Sequence, residues 1–222
     1  MSFKKTASAV SVLTALLALP FVTTAEANHE LPRSERGGQH TAYYRSVFPY
    51  ISVAASFGGD EIGRFEDSFG DIEKVTGGGG GHITGGFLFA FDPWTSARLT
   101  AGYQADSVSR LNGESSLDRV SFEITALKSY RFHEFGAGLV MHTGIQYDCN
   151  INSVCAGDVA FDPAVGYAFE YAYRFGGYRG GSYPSATGLR LGVRYTAIEY
   201  NPEVGSASVD GSSLAGFIGL AF

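Results

Sequence analysis

Leu214-Ala215-Gly216-Phe217-Ile218-Gly219-Leu220-Ala221-Phe222 alternates residue by residue and runs to the last position of the chain. Leu214, Ile218, Leu220 and Phe222 share one face with Gly216 between them, while Ala215, Phe217, Gly219 and Ala221 share the other. A period of two belongs to a strand, in which successive side chains point to opposite faces. Terminal residues of soluble proteins fray unless tied down. An apolar strand that stops on an aromatic carboxyl terminus therefore predicts a last segment paired into a sheet.

The same alternation recurs upstream. Residues 49–57 set Ile51, Val53, Ala55 and Phe57 against Tyr50, Ser52, Ala54 and Ser56, and residues 82–91 set Ile83, Phe87, Phe89 and Phe91 against His82, Thr84, Gly86 and Ala90. Residues 97–108 place Leu99, Ala101, Tyr103 and Ala105 opposite Arg98, Thr100, Gln104 and Asp106. Residues 119–132 place Val120, Phe122, Ile124 and Ala126 opposite Ser121, Glu123 and Thr125. In residues 135–147, Leu139, Met141, Ile145 and Tyr147 oppose His142, Gly144 and Gln146. Residues 161–175 carry Phe161, Val165, Tyr167, Phe169, Tyr171, Tyr173 and Phe175 on one face, with Glu170 and Arg174 on the other. Residues 188–200 set Leu189, Leu191, Val193 and Tyr195 against Arg190, Gly192, Arg194 and Thr196. With the terminal stretch this makes eight segments of about ten residues or a little more, the length of a tilted strand crossing a bilayer.

The connections alternate as well. Residues 92–96 and the His133-Glu134 corner are tight, whereas residues 58–81, 109–118, 148–158 and 201–212 are longer and polar. The link at 176–187 is long for the short-turn side. A soluble barrel would turn its polar face to water and stock it with Lys and Glu. Here that face is mostly Gly, Ala, Ser and Thr with isolated charges, which suits the cramped interior of an eight-stranded barrel. The other face is large and aromatic, as lipid contact with interfacial girdles requires. An Arg190 or Arg194 facing lipid at mid-depth would cost roughly 2–4 kcal/mol, so both are expected to point inward.

The amino terminus reads as an export leader. Lys4 and Lys5 precede an apolar stretch over residues 7–22, and Ala25-Glu26-Ala27 supplies a small-x-small site, so cleavage is expected before Asn28. Residues 28–47 lack periodicity and are expected to form a periplasmic tail, leaving residues 48–222 as the barrel. With the leader and the alternating segments in view, the chain resembles the small eight-stranded outer-membrane β-barrels of the OmpA/OmpX type. That resemblance implies an all-β, antiparallel up-and-down barrel in the bacterial outer membrane. It also makes Ile218, Leu220 and Phe222 a signal for the outer-membrane assembly machinery. Lipid and lipopolysaccharide are the implied surroundings of a monomer.

The whole chain carries 16 basic and 22 acidic residues. Removing Lys4, Lys5 and Glu26 with the leader leaves a formal charge of −7. A nucleic-acid partner needs a basic footprint, and none is present. Cys149 and Cys155, close in sequence on an exported chain, are expected to form a disulfide contributing about 2–3 kcal/mol. The inward charges Arg98, Asp106, Glu123, Glu170, Arg174, Arg190 and Arg194 mix both signs, which predicts a structural network of paired charges in preference to an ion path. His142 with Glu123 is the one acid–base set the sequence offers. Some related barrels trim lipid A with a His-x-Ser pair and a carboxylate; here the stretch reads His142-Thr143-Gly144, and His82-Ile83-Thr84 is no better match. No catalytic residue, metal ligand or cofactor is therefore expected. A narrow channel for small or apolar solutes is the alternative function, and lipid A hydrolysis a weaker one. The acidic first loop, with Asp60, Glu61, Glu66, Asp67, Asp71 and Glu73 against Arg64 and Lys74, lacks EF-hand spacing and reads as solvated. The glycine run at residues 77–81 reads as a flexible hinge.

Overall fold

The computed structural model describes residues 46–66, 72–92, 94–110, 113–151, 155–175, 186–205 and 207–222. The expected leader, most of the expected tail and most of the 176–187 link lie outside the described residues; the first strand already begins at Ser46. The strands in chain order are β1 (Ser46–Phe57), β2 (Glu61–Glu66), β3 (Ile72–Thr76), β4 (Gly80–Ala90), β5 (Thr95–Arg110), β6 (Gly113–Tyr130) and β7 (His133–Ile151). They continue as β8 (Cys155–Phe161), β9 (Ala164–Phe175), β10 (Gly188–Ala197), β11 (Glu199–Tyr200), β12 (Val209–Asp210) and β13 (Ser213–Ala221). Among the described residues no helix is long and apolar enough to cross a membrane.

Eight of these strands, β1, β4, β5, β6, β7, β9, β10 and β13, pair antiparallel in a closed ring. Closure is made by the terminal strand, with Tyr50 opposite Ala221 and Phe57 opposite Leu214, and by Phe222 N–H donating to Pro49 O at 3.1 Å. On the other side β13 pairs with β10, from Gly188↔Ala221 to Thr196↔Ser213. A closed sheet has no free edge, so every strand of the ring can satisfy its backbone polar groups.

The ends differ. The start of β1, the end of β13 and the short turns lie at one end. There Asp92 Oδ1 accepts the Trp94 and Thr95 N–H groups at 2.7 and 2.8 Å. The Trp94 N–H holds the Asp92 carboxyl below its ordinary pKa. The next turn is centred on Arg131 and Phe132, two residues before the expected His133-Glu134 corner, and Arg131 takes a left-handed φ of 55°. At the opposite end, strand extends into the described residues of three of the expected loops. β5 and β6 stay paired out to Arg110↔Gly113, β7 and β8 out to Ile151↔Cys155, and β2 pairs with β3 inside the first long link.

Two interruptions change which face a residue occupies. The β6–β7 register slips between Asp118 and Val120, where Gly144 has φ +58°, so two residues of β7 oppose Arg119. A residue at positive φ in a bulge favours glycine. Beyond it the alternation inverts: Ile145, Tyr147 and Cys149 point inward and are buried, correcting the expected outward placement of Ile145 and Tyr147. The Asp162-Pro163 break between β8 and β9 does the same for Phe161, which is also buried. These residues join Val75, Val108, Leu117, Val140, Ile198 and Tyr200 in an apolar cluster at the loop end.

The outer surface is apolar where the strands alternate regularly. On β9, Val165, Tyr167, Phe169, Tyr171, Tyr173 and Phe175 are all exposed, while Ala164, Ala168, Glu170, Ala172 and Arg174 are buried. On β13, Leu214, Ile218 and Leu220 are exposed, as is Phe222 just beyond it, and Phe217 is buried. Near the turn end the exposed aromatics touch one another. Tyr171 stands 5.3 Å from Phe135, Tyr173 stands 5.7 Å from Phe132, and His133 Nδ1 and Tyr171 OH are 2.8 Å apart.

Candidate functional site: the filled barrel interior

The inward rows of a small barrel must be filled by side chains, and charges among them must find partners. Near the turn end, Glu134 receives Arg190 Nε at 2.9 Å, and Arg174 Nη1 stands 3.6 Å from its other oxygen. Arg190 also donates to the carbonyls of Ala186 and Gly188. One layer further in, Glu170 Oε2 accepts Arg98 Nη2 at 2.6 Å and Arg194 Nη2 at 2.8 Å. Arg194 Nη1 then reaches both oxygens of Glu123 at 2.8 Å. The result is an alternating chain Arg98–Glu170–Arg194–Glu123 across the lumen.

Among the described residues, five arginines (98, 119, 174, 190 and 194) and three glutamates (123, 134 and 170) are buried. The positive excess meets carbonyls and rings. Arg98 lies 4.7 Å over the Tyr50 ring, Arg194 lies 5.5 Å over Phe217, and Arg119 donates to Gly77 O and Gly79 O at 2.7 and 3.1 Å. A guanidinium spreads its charge over a planar fork, so carbonyls and ring faces can both serve it.

Asp106 is not part of this chain of pairs. It lies on β5 near the loop end, where its Oδ2 accepts the Thr76 N–H at 3.0 Å, and its register partner is Leu117. The other six expected inward charges are all buried. Glu134 joins the network and Arg119 is buried on the carbonyls of Gly77 and Gly79; both stand outside the sequence expectation. Glu134 sits just after a turn, and Arg119 sits at the edge of the bulge.

Above the charges, His82 Nε2 and Ser121 Oγ are 3.0 Å apart, and His142 Nδ1 and Tyr200 OH are 2.7 Å apart. His142 therefore pairs with Tyr200 and not with Glu123, whose oxygens are held by Arg194. Ser121 is fully buried and His142 nearly so. The cavity between the two histidines, lined also by Ser52, Glu123 and Arg194, measures about 20 Å³, on the scale of a single water molecule. It has no room for an acyl chain.

The barrel mouth at the loop end is stopped by residues 76–80. The glycine run expected to be a hinge is folded in: Gly77, Gly78 and Gly79 are buried, and Val75 before them is fully so. Gln104 Nε2 donates to Gly79 O at 3.0 Å, beside the two Arg119 bonds. A Cβ on Gly78 would run into the Ser212 carbonyl, and one on Gly77 would stand 2.5 Å from the Asp210 carbonyl. Glycine is needed here for close approach of backbone to backbone. The Cys149 and Cys155 positions lie on the β7–β8 hairpin beyond the mouth, Cys149 opposite Gly157 and Cys155 opposite Ile151. Among the described residues, no three His, Cys, Asp or Glu side chains gather as metal ligands.

No protein-family model and no curated protein matches the sequence. Among solved structures, the chain is similar to Ail, the attachment invasion locus protein of Yersinia pestis, at 9% identity and TM-score 0.44, over 80% of this chain and 99% of that one. It is similar to Neisserial surface protein A at 10% identity and TM-score 0.44, over 79% and 97% of the two chains. It is also similar to the outer membrane protein AlkL, solved in lipid bilayers, at 12% identity and TM-score 0.41, over 85% and 96%. The strand register and burial described above establish, independently of these likenesses, a closed eight-stranded antiparallel barrel.

Proposed function

We infer that the mature protein is a non-enzymatic barrel of the bacterial outer membrane. Its interior is a structural filling, and its loop-end crown meets the exterior in a structural or surface-interaction role. The observation that carries this reading is the inversion of ordinary burial: arginines and glutamates lie inside while large apolar side chains ring the outside. Only an apolar surrounding makes that arrangement favourable, because water would leave a large exposed hydrophobic surface unsatisfied. In the same reading the leader is removed before Asn28, the assembly machinery recognises Ile218, Leu220 and Phe222, and Cys149 and Cys155 form a bridge that staples the β7–β8 hairpin.

A solute channel is disfavoured by the stopped mouth and the paired charges beneath it. Lipid A hydrolysis is disfavoured by the burial of both histidines' hydroxyl partners, Ser121 and Tyr200. Purified protein in detergent is expected to give β-type circular dichroism and heat-modifiable electrophoretic migration, and to leave a planar bilayer electrically silent. Recovery as a water-soluble monomer would overturn the membrane assignment; discrete conductance steps would overturn the filled interior.

A further inference from the structure

The β6–β7 turn is two residues long, with Tyr130 opposite His133 and Arg131 and Phe132 between them. Among the described residues Arg131 is the one non-glycine with a positive φ, at 55°. Side chains rarely adopt that conformation, and a two-residue hairpin with positive φ at its first central position normally takes glycine there. A residue held in a disfavoured conformation points to a use for its side chain. The Arg131 side chain is exposed, and its guanidinium stands 5.5 Å from the centroid of the exposed Tyr130 ring.

Lys128 lies two residues before Tyr130 on the same outward face of β6, roughly 7 Å along the strand. Its Nζ donates to Thr95 Oγ1 at 3.0 Å, which leaves ammonium protons for a further acceptor. Asp92 is close enough to feel that charge, but its Oδ1 already takes the Trp94 and Thr95 N–H groups. Among the described residues Lys128 and Arg131 are the exposed cations of the turn end, and neither forms a salt bridge. Toward mid-barrel the outward row of β6 is apolar, with Ile124 and Phe122 exposed. The neighbouring strands carry the exposed rings of Phe135, Tyr171 and Tyr173. Two cations thus stand where the apolar face ends in a border of aromatic rings, the depth of phospholipid headgroups. A guanidinium offers a phosphodiester two parallel donors, and an ammonium offers it a point charge.

We propose that Arg131 and Lys128 seat the phosphate of an anionic phospholipid of the periplasmic leaflet, with an acyl chain along Ile124 and Phe122. The occupant is a membrane lipid because the apolar row leading away from the cations takes an acyl chain and offers a soluble anion nothing. A net-negative head is favoured over a zwitterionic one, whose own cation is repelled by Lys128 and Arg131. The site rests on the membrane reading given above, in which the turn end faces the periplasm.

The test is lipid retention. Full-length protein is reconstituted with equal phosphatidylglycerol, phosphatidylethanolamine and phosphatidylcholine of the same acyl chains, and co-purifying lipid is read by native mass spectrometry. Two basic side chains at an anionic lipid predict about tenfold preference for phosphatidylglycerol over the other two. Lys128→Gln and Arg131→Gly are each expected to reduce it to about threefold, and the double variant to bring it to parity. Glycine accepts the left-handed turn, so Arg131→Gly should keep the wild-type denaturation midpoint while it loses preference. A lower midpoint with the preference intact would make Arg131 a turn residue only and overturn the proposal. Equal retention by the wild type, a preference that the double variant keeps, or displacement of phosphatidylglycerol by excess inorganic phosphate would overturn it as well. Heat-modifiable migration is recorded on the same samples. Folded, inserted protein without preference removes the lipid site alone, whereas protein that never inserts removes the membrane reading and the site with it.

Discussion

Replacing Glu170 by Gln is expected to lower the unfolding free energy by about 3–5 kcal/mol, because it strips the shared partner from two buried arginines. Glu170 Oε2 takes Arg98 Nη2 at 2.6 Å and Arg194 Nη2 at 2.8 Å, and its side chain is almost wholly excluded from solvent. After the substitution Arg194 keeps Glu123, but Arg98 is left with the Tyr50 ring and a long 3.4 Å bond to its hydroxyl. Removing Arg98 and Glu170 together, as Arg98→Met with Glu170→Leu, should recover much of the loss, since neither change then strands a charge. Denaturant unfolding in lipid vesicles measures both. A loss under about 1 kcal/mol for the single variant would mean that the pairs are solvated, as surface ion pairs are.

The second large effect separates lipid from water outside the barrel. Val193 lies midway along β10, opposite Gly216 and Tyr171, and is 51% exposed. Val193→Arg is expected to cost roughly 2–4 kcal/mol if that exposure is to hydrocarbon. On a water-facing surface the same change falls within about 0.5 kcal/mol of neutral. Vesicle refolding and unfolding curves of the two proteins decide between these values.

The strands were legible because alternation has a period that no other element shares. The inward charges stood out because each interrupts an otherwise small-residue row. Their pairing was not legible. Which arginine meets which glutamate depends on distances across the lumen between strands far apart in sequence, as Arg98 and Glu170 are. The face of Ile145 and Tyr147 was misread because one extra residue at the Gly144 bulge inverts everything beyond it. An isolated glycine inside a strand was the available signal. Pro163 gave the same kind of warning for Phe161.

The glycine run misled for a different physical reason. Glycines without side chains read as flexible, yet residues 77–79 are fixed because the absence of Cβ lets them pack on the Asp210 and Ser212 carbonyls. Their anchors, Arg119 and Gln104, come from β6 and β5, so only the folded chain brings them together. Of the expected loops at that end, residues 109–110, 113–118, 148–151 and 155–158 are strand because β5–β6 and β7–β8 keep their ladders beyond the barrel rim.

The central claim is that the outward row of β9 meets hydrocarbon over the middle of its length. Nitroxide labels placed singly at Val165, Tyr167, Phe169, Tyr171, Tyr173 and Phe175 in reconstituted vesicles test it through collision with oxygen and with a water-soluble nickel chelate. Oxygen access should peak and nickel access should fall at Phe169 and Tyr171, with nickel access recovering toward Val165 and Phe175. High nickel access along the whole row would place that face in water and contradict the membrane barrel.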